Sequence, residues 1–156
     1  MEIERKFLIS ALPNDIINNC DRAEIEQSYL DYGLEKLPER RIRKITQNGT
    51  SEYFYTEKSS GDLFREEEEY EISQYSYQRL KELTISPTIE KTRYYLHTDE
   101  ILIEIDVYGG ALSDLTVAEI EFSSPLEAQK FMPPKWFGKE ITYDKKYKNK
   151  NLSKLI

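Results

Sequence analysis

The chain begins Met1-Glu-Ile-Glu-Arg-Lys-Phe-Leu-Ile9, a stretch in which charged and apolar residues largely alternate. At a period of two residues, Glu2, Glu4 and Lys6 fall on one face of a strand. Ile3, Phe7 and Ile9 fall on the other, with Arg5 as the only charge among them. A surface strand with its charges in water has this pattern, and so does a strand whose charges line an interior. The remaining strands must distinguish the two.

The composition restricts the possible partners and metal sites. The 156 residues include 29 acidic and 22 basic side chains, and the net charge of −7 argues against a nucleic-acid partner, which needs a basic surface. The single cysteine, Cys20, excludes an internal disulfide, and the single histidine, His97, excludes a multi-histidine metal site. Carboxylates would therefore hold any metal, which favours magnesium, manganese or calcium.

Length and hydropathy predict the general type of protein. A chain of 156 residues is expected to form a single domain over residues 1–156. No signal peptide precedes the first strand and no apolar run approaches membrane-spanning length, so we expect a cytoplasmic protein with no membrane partner. The sequence leaves open whether the protein is a monomer or a homodimer.

Alternation and turn residues divide the chain into strands and short helices. Asn48-Gly49 is a strong two-residue hairpin signal, and Ser73 and either Ser123 or Ser124 fit helix N-caps. Eight strands are predicted, over residues 1–9, 23–31, 41–46, 50–58, 63–72, 88–97, 100–107 and 116–122. Helical segments are predicted over residues 12–17, 73–83, 124–131 and 143–150.

Several other strands repeat the two-faced pattern of the first. Glu104 and Asp106 share a face opposite aliphatic residues, and Glu119 and Glu121 do the same in the last strand. One set of faces thus collects charges of both signs. Its members are Glu2, Glu4, Glu67, Glu69, Glu104, Asp106, Glu119 and Glu121, with Lys6, Arg41, Arg43, Lys58, Arg65, Lys91 and Arg93.

Two architectures fit this distribution of charge. Alternation alone favours an open antiparallel sheet with its charged face in water, since runs of charge are usually solvated. The other is a closed eight-stranded barrel whose charged face points inward and whose apolar exterior is partly covered by helices. Because buried unpaired charges are costly, such an interior must be wet and must hold a counter-ligand. Carboxylates mixed with cations suit a polyphosphate bridged by divalent metals.

The residues on these strands resemble a known family. Glu2-x-Glu4-x-Lys6 is similar to the ExExK motif of the CYTH family, also called the triphosphate tunnel metalloenzymes. ExExK alone is weak, because charged strands often contain it, but further matches follow in the family's order along almost the whole chain. They are Gln27-x-Tyr29-Leu30, Arg41-Ile42-Arg43, Thr56-x-Lys58, Arg65-x-Glu67-x-Glu69, Lys91-Thr92-Arg93-Tyr94, Glu104-x-Asp106-x-Tyr108-x-Gly110, Ala118-Glu119-Ile120-Glu121, and Trp136-Phe137-Gly138-Lys139-Glu140-Ile141-Thr142 with Tyr147 and Asn149.

The resemblance implies a fold and an activity. The fold is of the α+β class, a closed eight-stranded antiparallel β-barrel with a charged lumen and a few helices packed outside. A small-molecule triphosphate would bind there with Mg²⁺ or Mn²⁺. The C-terminal Trp-Phe-Gly-Lys-Glu segment resembles most the bacterial inorganic triphosphatase branch, which hydrolyses tripolyphosphate to pyrophosphate and phosphate. The alternatives are a class IV-type adenylate cyclase, a thiamine or nucleoside triphosphatase, and a catalytically silent polyphosphate-binding module.

The resemblance also implies roles for single residues, and for each the alternative is a purely structural ion pair. The expected catalytic residues are Lys91 and Tyr29, with Arg43 or Arg93 lowering the pKa of Lys91. The basic tail, residues 145–150, is expected to be a solvated helix face or a cover over one tunnel mouth. The expected substrate-binding residues are Lys6, Arg41, Arg43, Lys58, Arg65, Lys91 and Arg93. The expected metal ligands are Glu2, Glu4, Glu119 and Glu121, then Glu67, Glu69 and Asp106, although a bulge would exchange the faces of residues 66–69.

Overall fold

The computed structural model describes residues 3–34, 37–59 and 66–156, and antiparallel strands dominate it. Its strands are β1 (Glu4–Leu8), β2 (Asp21–Tyr32), β3 (Glu39–Gln47), β4 (Thr50–Lys58), β5 (Glu67–Ile72), β6 (Ile89–His97), β7 (Leu102–Tyr108) and β8 (Thr116–Glu121). Its helices are α1 (Asn14–Asn18), α2 (Gln74–Lys81), α3 (Pro125–Lys130) and α4 (Asn149–Ser153), with 3₁₀ turns at Gly110–Leu112 and Lys145–Tyr147. No helix within these ranges has both the length and the apolarity needed to cross a bilayer.

All the strands belong to one sheet, in the order β1-β8-β7-β6-β2-β3-β4-β5. Every neighbouring pair is antiparallel, as predicted. In the described residues the hydrogen-bonded ladder ends at β1 on one side and at β5 on the other. Side chains of both end strands nevertheless line the same cavity, so the sheet is curled around an interior.

The local signals in the sequence act as predicted. Asn48 and Gly49 have φ angles of 52° and 79°, which is the left-handed pair that a tight hairpin between β3 and β4 requires. The Ser73 side chain accepts a hydrogen bond from the Ser76 amide at the start of α2. Ser124, rather than Ser123, caps α3 in the same way, and Pro125 follows at the first helical position.

Apolar side chains on the outer face of the sheet pack against the helices and the C-terminal segment. One cluster covers β1, β6, β7 and β8, and α3 together with Trp136 and Phe137 packs on it. A second cluster joins Leu30 and Ile42 to Tyr77 of α2. Burial of this outer face leaves the charged face of the strands pointing inward. The open sheet with solvated charges, which alternation alone favoured, is therefore wrong.

The C-terminal tail packs against one end of the interior. The helix predicted at 143–150 is wrong in position, since a 3₁₀ turn occupies Lys145–Tyr147, Lys148 is extended, and α4 begins at Asn149. The reason is tertiary: Leu152 is buried in an apolar cluster, and Asn149 accepts a 2.5 Å hydrogen bond from the Tyr108 hydroxyl. Other members of this cluster are Ile89, Tyr108, Val117 and Ile141. The structure thus places Asn149 at the cavity and leaves Lys145 and Lys146 exposed, and the cover over one tunnel mouth stays a prediction.

Candidate active site in the charged cavity

A cavity of about 640 Å³ occupies the interior of the curled sheet. Side chains at a spacing of two residues reach it from all eight strands, since alternate residues of a strand point to the same side. Asn149 of α4 also contributes. The lining residues are Glu4, Lys6, Gln27, Arg41, Arg43, Ile45, Lys58, Glu67, Glu69, Lys91, Arg93, Tyr95, Glu104, Glu119, Glu121 and Asn149.

Most of the residues predicted from the sequence meet in this cavity. Five of the predicted metal ligands line it: Glu4, Glu67, Glu69, Glu119 and Glu121. Six of the predicted phosphate-binding cations line it too: Lys6, Arg41, Arg43, Lys58, Lys91 and Arg93. Asp106 and Tyr29 are buried beside the cavity rather than lining it. The predictions for Glu2 and Arg65 lie outside the described residues.

Carboxylates face one another across the junction of β1, β8 and β7. Glu4 is directly opposite Glu121 in the β1–β8 pair, and Glu104 is directly opposite Glu119 in the β7–β8 pair. Directly opposed like charges destabilise a sheet unless a cation lies between them. Lys6 supplies part of that charge, with its Nζ 3.9 Å from Glu119. Burial raises the pKa of Glu119, but its hydrogen bond with Glu4 and the charge of Lys6 outweigh this and lower the pKa to about 2.

This junction fits a hard divalent cation by its chemistry. Carboxylate oxygens are the ligands that Mg²⁺ and Mn²⁺ prefer, and the opposed pairs of acids provide them on adjacent strands. Within residues 3–34, 37–59 and 66–156, however, no three Asp, Glu, His or Cys side chains already form a metal site. A cation there would therefore share its coordination with other donors, such as phosphate oxygens of a ligand.

The β6–β7 side of the cavity carries a closed set of ion pairs, which we call the paired wall (Lys91, Arg93, Glu104 and Asp106). Lys91 Nζ donates to Asp106 Oδ2 at 2.8 Å, and Arg93 Nε donates to Asp106 Oδ1 at 2.7 Å. Arg93 also contacts Glu104 at 2.6 Å through Nη1. Both oxygens of Asp106 are thus engaged by cations, and this side chain is only 4% exposed.

Burial and charge shift the pKa values of this wall in opposite directions. Burial lowers the pKa of Lys91 to about 8, with Arg93 adding to the effect and Asp106 opposing it. The sequence analysis attributes the lowered pKa of Lys91 to Arg43 or Arg93, whereas desolvation is the larger cause. Burial would raise the pKa of Asp106, but the charges of Lys91 and Arg93 hold it well below its usual range.

The β2–β3 side is different, and we call it the open wall (Gln27, Arg41 and Arg43). Gln27 is directly opposite Arg43, and Tyr29 is directly opposite Arg41. The Nε atoms of both arginines are buried and have no hydrogen-bond partner among the described residues. Arg43 donates a 2.8 Å hydrogen bond from Nη2 to Glu69, and its guanidinium lies 5.9 Å from the ring centroid of Phe54. Burial and the adjacent Arg41 lower the pKa of Arg43.

Tyr29 adjoins the open wall and is 2% exposed. Burial raises the pKa of its hydroxyl to about 12, although Arg41 acts to lower it. A phenol with this pKa remains protonated at neutral pH and can serve as a hydrogen-bond donor. It does not provide a base.

The β4–β5 side of the cavity shows which carboxylates of the acidic run at residues 66–69 point inward. Glu67 and Glu69 line the cavity, while Glu68 points away from it and lies opposite Glu57. Thr56 donates a 3.1 Å hydrogen bond to Glu69, and Lys58 lies 3.9 Å from Glu67. The face chosen in the prediction is therefore correct for this strand.

The sequence analysis gave no role to four polar lining residues, Gln27, Tyr95, Glu104 and Asn149, or to the apolar Ile45. Glu104 and Tyr95 were identifiable in principle, because each lies two residues from a predicted site residue on the same strand. Gln27 also lies two residues from a predicted site residue, Tyr29, but it carries no charge and its other neighbours on that face of β2 are apolar. Asn149 reaches the cavity through the position of α4.

Comparison with known proteins assigns the chain to the same family that the sequence motifs and the cavity indicate. The family model described as the CYTH domain matches residues 1–155. The chain belongs to the CYTH family. The resemblance drawn from the sequence is therefore confirmed, and the charged cavity between curled antiparallel strands is this family's tunnel.

Relatives of this CYTH protein cover almost its full length. It is 43% identical over 153 residues to a protein of Nitrosomonas europaea named inorganic triphosphatase, covering 97% of this chain and 96% of the relative. It is 33% identical to a protein of the same name from Acetivibrio thermocellus, covering 98% and 93%. The crystal structure of the inorganic triphosphatase NE1496 is 41% identical, with a TM-score of 0.73 and coverage of 100% and 96%.

Proposed function

We propose that this CYTH protein hydrolyses inorganic triphosphate to pyrophosphate and phosphate with the help of a divalent metal. The observation that carries the proposal is the convergence of six cationic and several acidic side chains on one cavity of about 640 Å³. The cations provide donors for phosphate oxygens and the acids provide ligands for the metal. Two relatives with the name inorganic triphosphatase, at 43% and 33% identity, support this choice of substrate.

The metal in this proposal is Mg²⁺ or Mn²⁺. Glu4, Glu119 and Glu121 would hold it, with Glu104 close enough in register to contribute and Glu67 and Glu69 of β5 as further candidates. When bound, the ion would neutralise charge on phosphate oxygens and lower the pKa of a coordinated water. We do not assign Asp106 to the metal, because both of its oxygens already accept hydrogen bonds from Lys91 and Arg93.

The chemical step is in-line attack of water on a terminal phosphoryl group. The water oxygen forms the new bond to phosphorus, the bridging P–O bond breaks, and pyrophosphate leaves with the electron pair. Lys91 Nζ accepts a proton from the water, since its pKa of about 8 leaves part of the population neutral near neutral pH. Asp106 fixes the position of Lys91, and protonated Tyr29 steadies the Arg41 side of the phosphate site.

A substrate panel tests the function. The protein is incubated with tripolyphosphate, ATP and thiamine triphosphate in Mg²⁺ or Mn²⁺, and phosphate, pyrophosphate and cyclic AMP are measured. We expect phosphate release chiefly from tripolyphosphate. Cyclic AMP with pyrophosphate would identify a cyclase instead, faster hydrolysis of thiamine triphosphate or ATP would change the substrate, and no product from any of them would indicate a binding module.

Metal binding is tested separately by calorimetric titration with Mn²⁺. We expect Glu4→Gln to weaken binding roughly tenfold or more, because a lost ligand should matter at least as much as a lost supporting contact. Glu90→Gln is the matched control, since Glu90 lies on the outward face of β6 and is exposed. Equal affinities for wild type and Glu4→Gln would remove Glu4 from the metal site.

A further inference from the structure

Gln27 is a buried polar side chain that the ligand-free fold leaves unsatisfied. It is 0% exposed, it lines the cavity, and neither Oε1 nor Nε2 has a hydrogen-bond partner among the described residues. Leaving a buried donor or acceptor unmade costs roughly 1–3 kcal/mol for each group. A leucine or methionine would fill this place in the strand at no such cost. The amide of Gln27 therefore destabilises the ligand-free protein, which points to a role in binding a ligand.

The surroundings of Gln27 indicate what the amide is for. It lies directly opposite Arg43 on β3 and directly opposite Ile89 on β6. Lys91 and Arg41 are each two residues further along the facing strands, which is within the reach of long side chains across an antiparallel pair. The two strands beside Gln27 thus carry three cations that line the same cavity.

These neighbours do not satisfy the amide, although they are donors. The Nε atoms of Arg41 and Arg43 are themselves buried and unpartnered among the described residues, and so is the amide oxygen beside them. The arginine donors and the amide acceptor therefore lie on neighbouring strands without forming hydrogen bonds to one another. Such an arrangement is preorganised for a ligand that supplies both kinds of partner.

A triphosphate alone supplies only hydrogen-bond acceptors. Its ionised oxygens accept hydrogen bonds, so they can satisfy the arginine Nε atoms and the amide Nε2, which are donors. The amide Oε1 is an acceptor and needs a donor, and water in contact with the phosphate is one. Gln27 is fully buried, and Ile89 directly opposite it belongs to an apolar cluster with Leu152. A water held there would have few other partners.

We propose that Gln27 is a catalytic residue that aligns the attacking water with the terminal phosphoryl group. Its Nε2 donates to a non-bridging oxygen of that group, and its Oε1 accepts a hydrogen bond from the water. The second proton of the water passes to Lys91 as the oxygen bonds to phosphorus and the bridging P–O bond breaks. This assignment deepens the proposed triphosphatase function and rests on it.

The decisive variant is Gln27→Met, which keeps the length of the side chain and removes both polar groups. Without ligand, we expect a melting temperature equal to or above that of wild type, because an unsatisfied buried amide is removed. With tripolyphosphate, we expect kcat to fall about 100-fold, as when one oriented donor is lost from a catalytic site. The stabilisation that tripolyphosphate gives without metal, read by thermal unfolding, should shrink as well.

Two further variants make the test specific. Gln74→Met is the matched control, since Gln74 is exposed at the start of α2 and should keep wild-type kinetics. Gln27→Glu keeps the shape and the acceptor but loses the Nε2 donor and adds a negative charge. We expect it to raise KM for tripolyphosphate at least about tenfold, because like charges repel in a poorly solvated site.

The inference and the proposed function fail in different ways. A wild-type protein that releases no phosphate from tripolyphosphate overturns the function. An active wild type, with Gln27→Met unchanged in kcat, KM and ligand-induced stabilisation, overturns the role of Gln27 alone. A melting temperature of ligand-free Gln27→Met well below that of wild type would assign the amide to folding and also overturns the proposal.

Discussion

The two walls of the cavity contain similar residues but use them differently. On the paired wall, Lys91 and Arg93 enclose Asp106 with contacts of 2.7–2.8 Å, so opposite charges neutralise one another within the protein. On the open wall, Arg41 and Arg43 keep buried Nε atoms without partners among the described residues. The first arrangement is complete without a ligand, and the second is not.

This difference indicates that the paired wall serves proton transfer and the open wall serves phosphate binding. A buried, fully hydrogen-bonded ion network holds its members in one geometry and shifts their pKa values, which is what a proton acceptor needs. Unpartnered buried donors gain most from an anion, which is what a phosphate site needs. We therefore expect changes on the paired wall to alter pH dependence and stability, and changes on the open wall to alter substrate binding.

The largest effect is expected from Lys91→Met. If Lys91 is the base, kcat should fall by about 10²- to 10⁴-fold. In the wild type, kcat/KM should rise with pH and level off above about 8, because the pKa of Lys91 is lowered to about 8 and only its neutral form accepts a proton. Steady-state rates between pH 6 and 10 test both points. A Lys91→Met profile that keeps the same rising limb would assign that limb to another group.

Asp106→Asn should act on the same wall through stability. It leaves two buried cations with a neutral partner, and breaking a buried ion pair in this way costs roughly 3–5 kcal/mol of unfolding free energy. Urea denaturation of the ligand-free protein measures this loss. The rising limb of kcat/KM should also move to lower pH, because the Asp106 charge raises the pKa of Lys91. Unchanged stability, or a limb displaced to higher pH, would contradict the anchoring role.

A smaller effect is expected from Arg41→Ala on the open wall. Loss of a charge-assisted hydrogen bond worth about 1.5–3 kcal/mol should raise KM for tripolyphosphate by about ten- to a hundredfold, with little change in the pH at which the rate levels off. Lys44→Ala is the control, because Lys44 is a cation on the opposite face of the same strand. If both variants gave the same modest change, net charge rather than the open wall would explain the binding.

The charged interior was predictable because it depends on a local rule. A period of two residues places Glu4 and Lys6, or Arg41 and Arg43, on one face whatever the rest of the chain does. The eight antiparallel strands and the Asn48-Gly49 hairpin follow from equally local signals. The order of motifs along the chain, rather than any single one, then placed the charges inside.

Features set by contacts between distant segments were not predictable. The pairing of Asp106 with Lys91 and Arg93 depends on the register of β6 against β7, and the sequence alone made Asp106 a candidate metal ligand. The place of α4 depends on burial of Leu152 under the sheet. Gln27 lacks the charge by which most of the lining residues were selected. The single domain, the cytoplasmic location, the state of assembly and the absence of other partners stay predictions.

The most direct test of the division between the walls is a crystal structure of the wild-type protein with Mg²⁺ and a bridging-imido analogue of tripolyphosphate. We predict phosphate oxygens at about 3 Å from the Nε atoms of Arg41 and Arg43, with Asp106 still bound to Lys91 and Arg93. Phosphates bound while both Nε atoms stay unpartnered, or Asp106 released from its cations to hold the metal, would contradict the account.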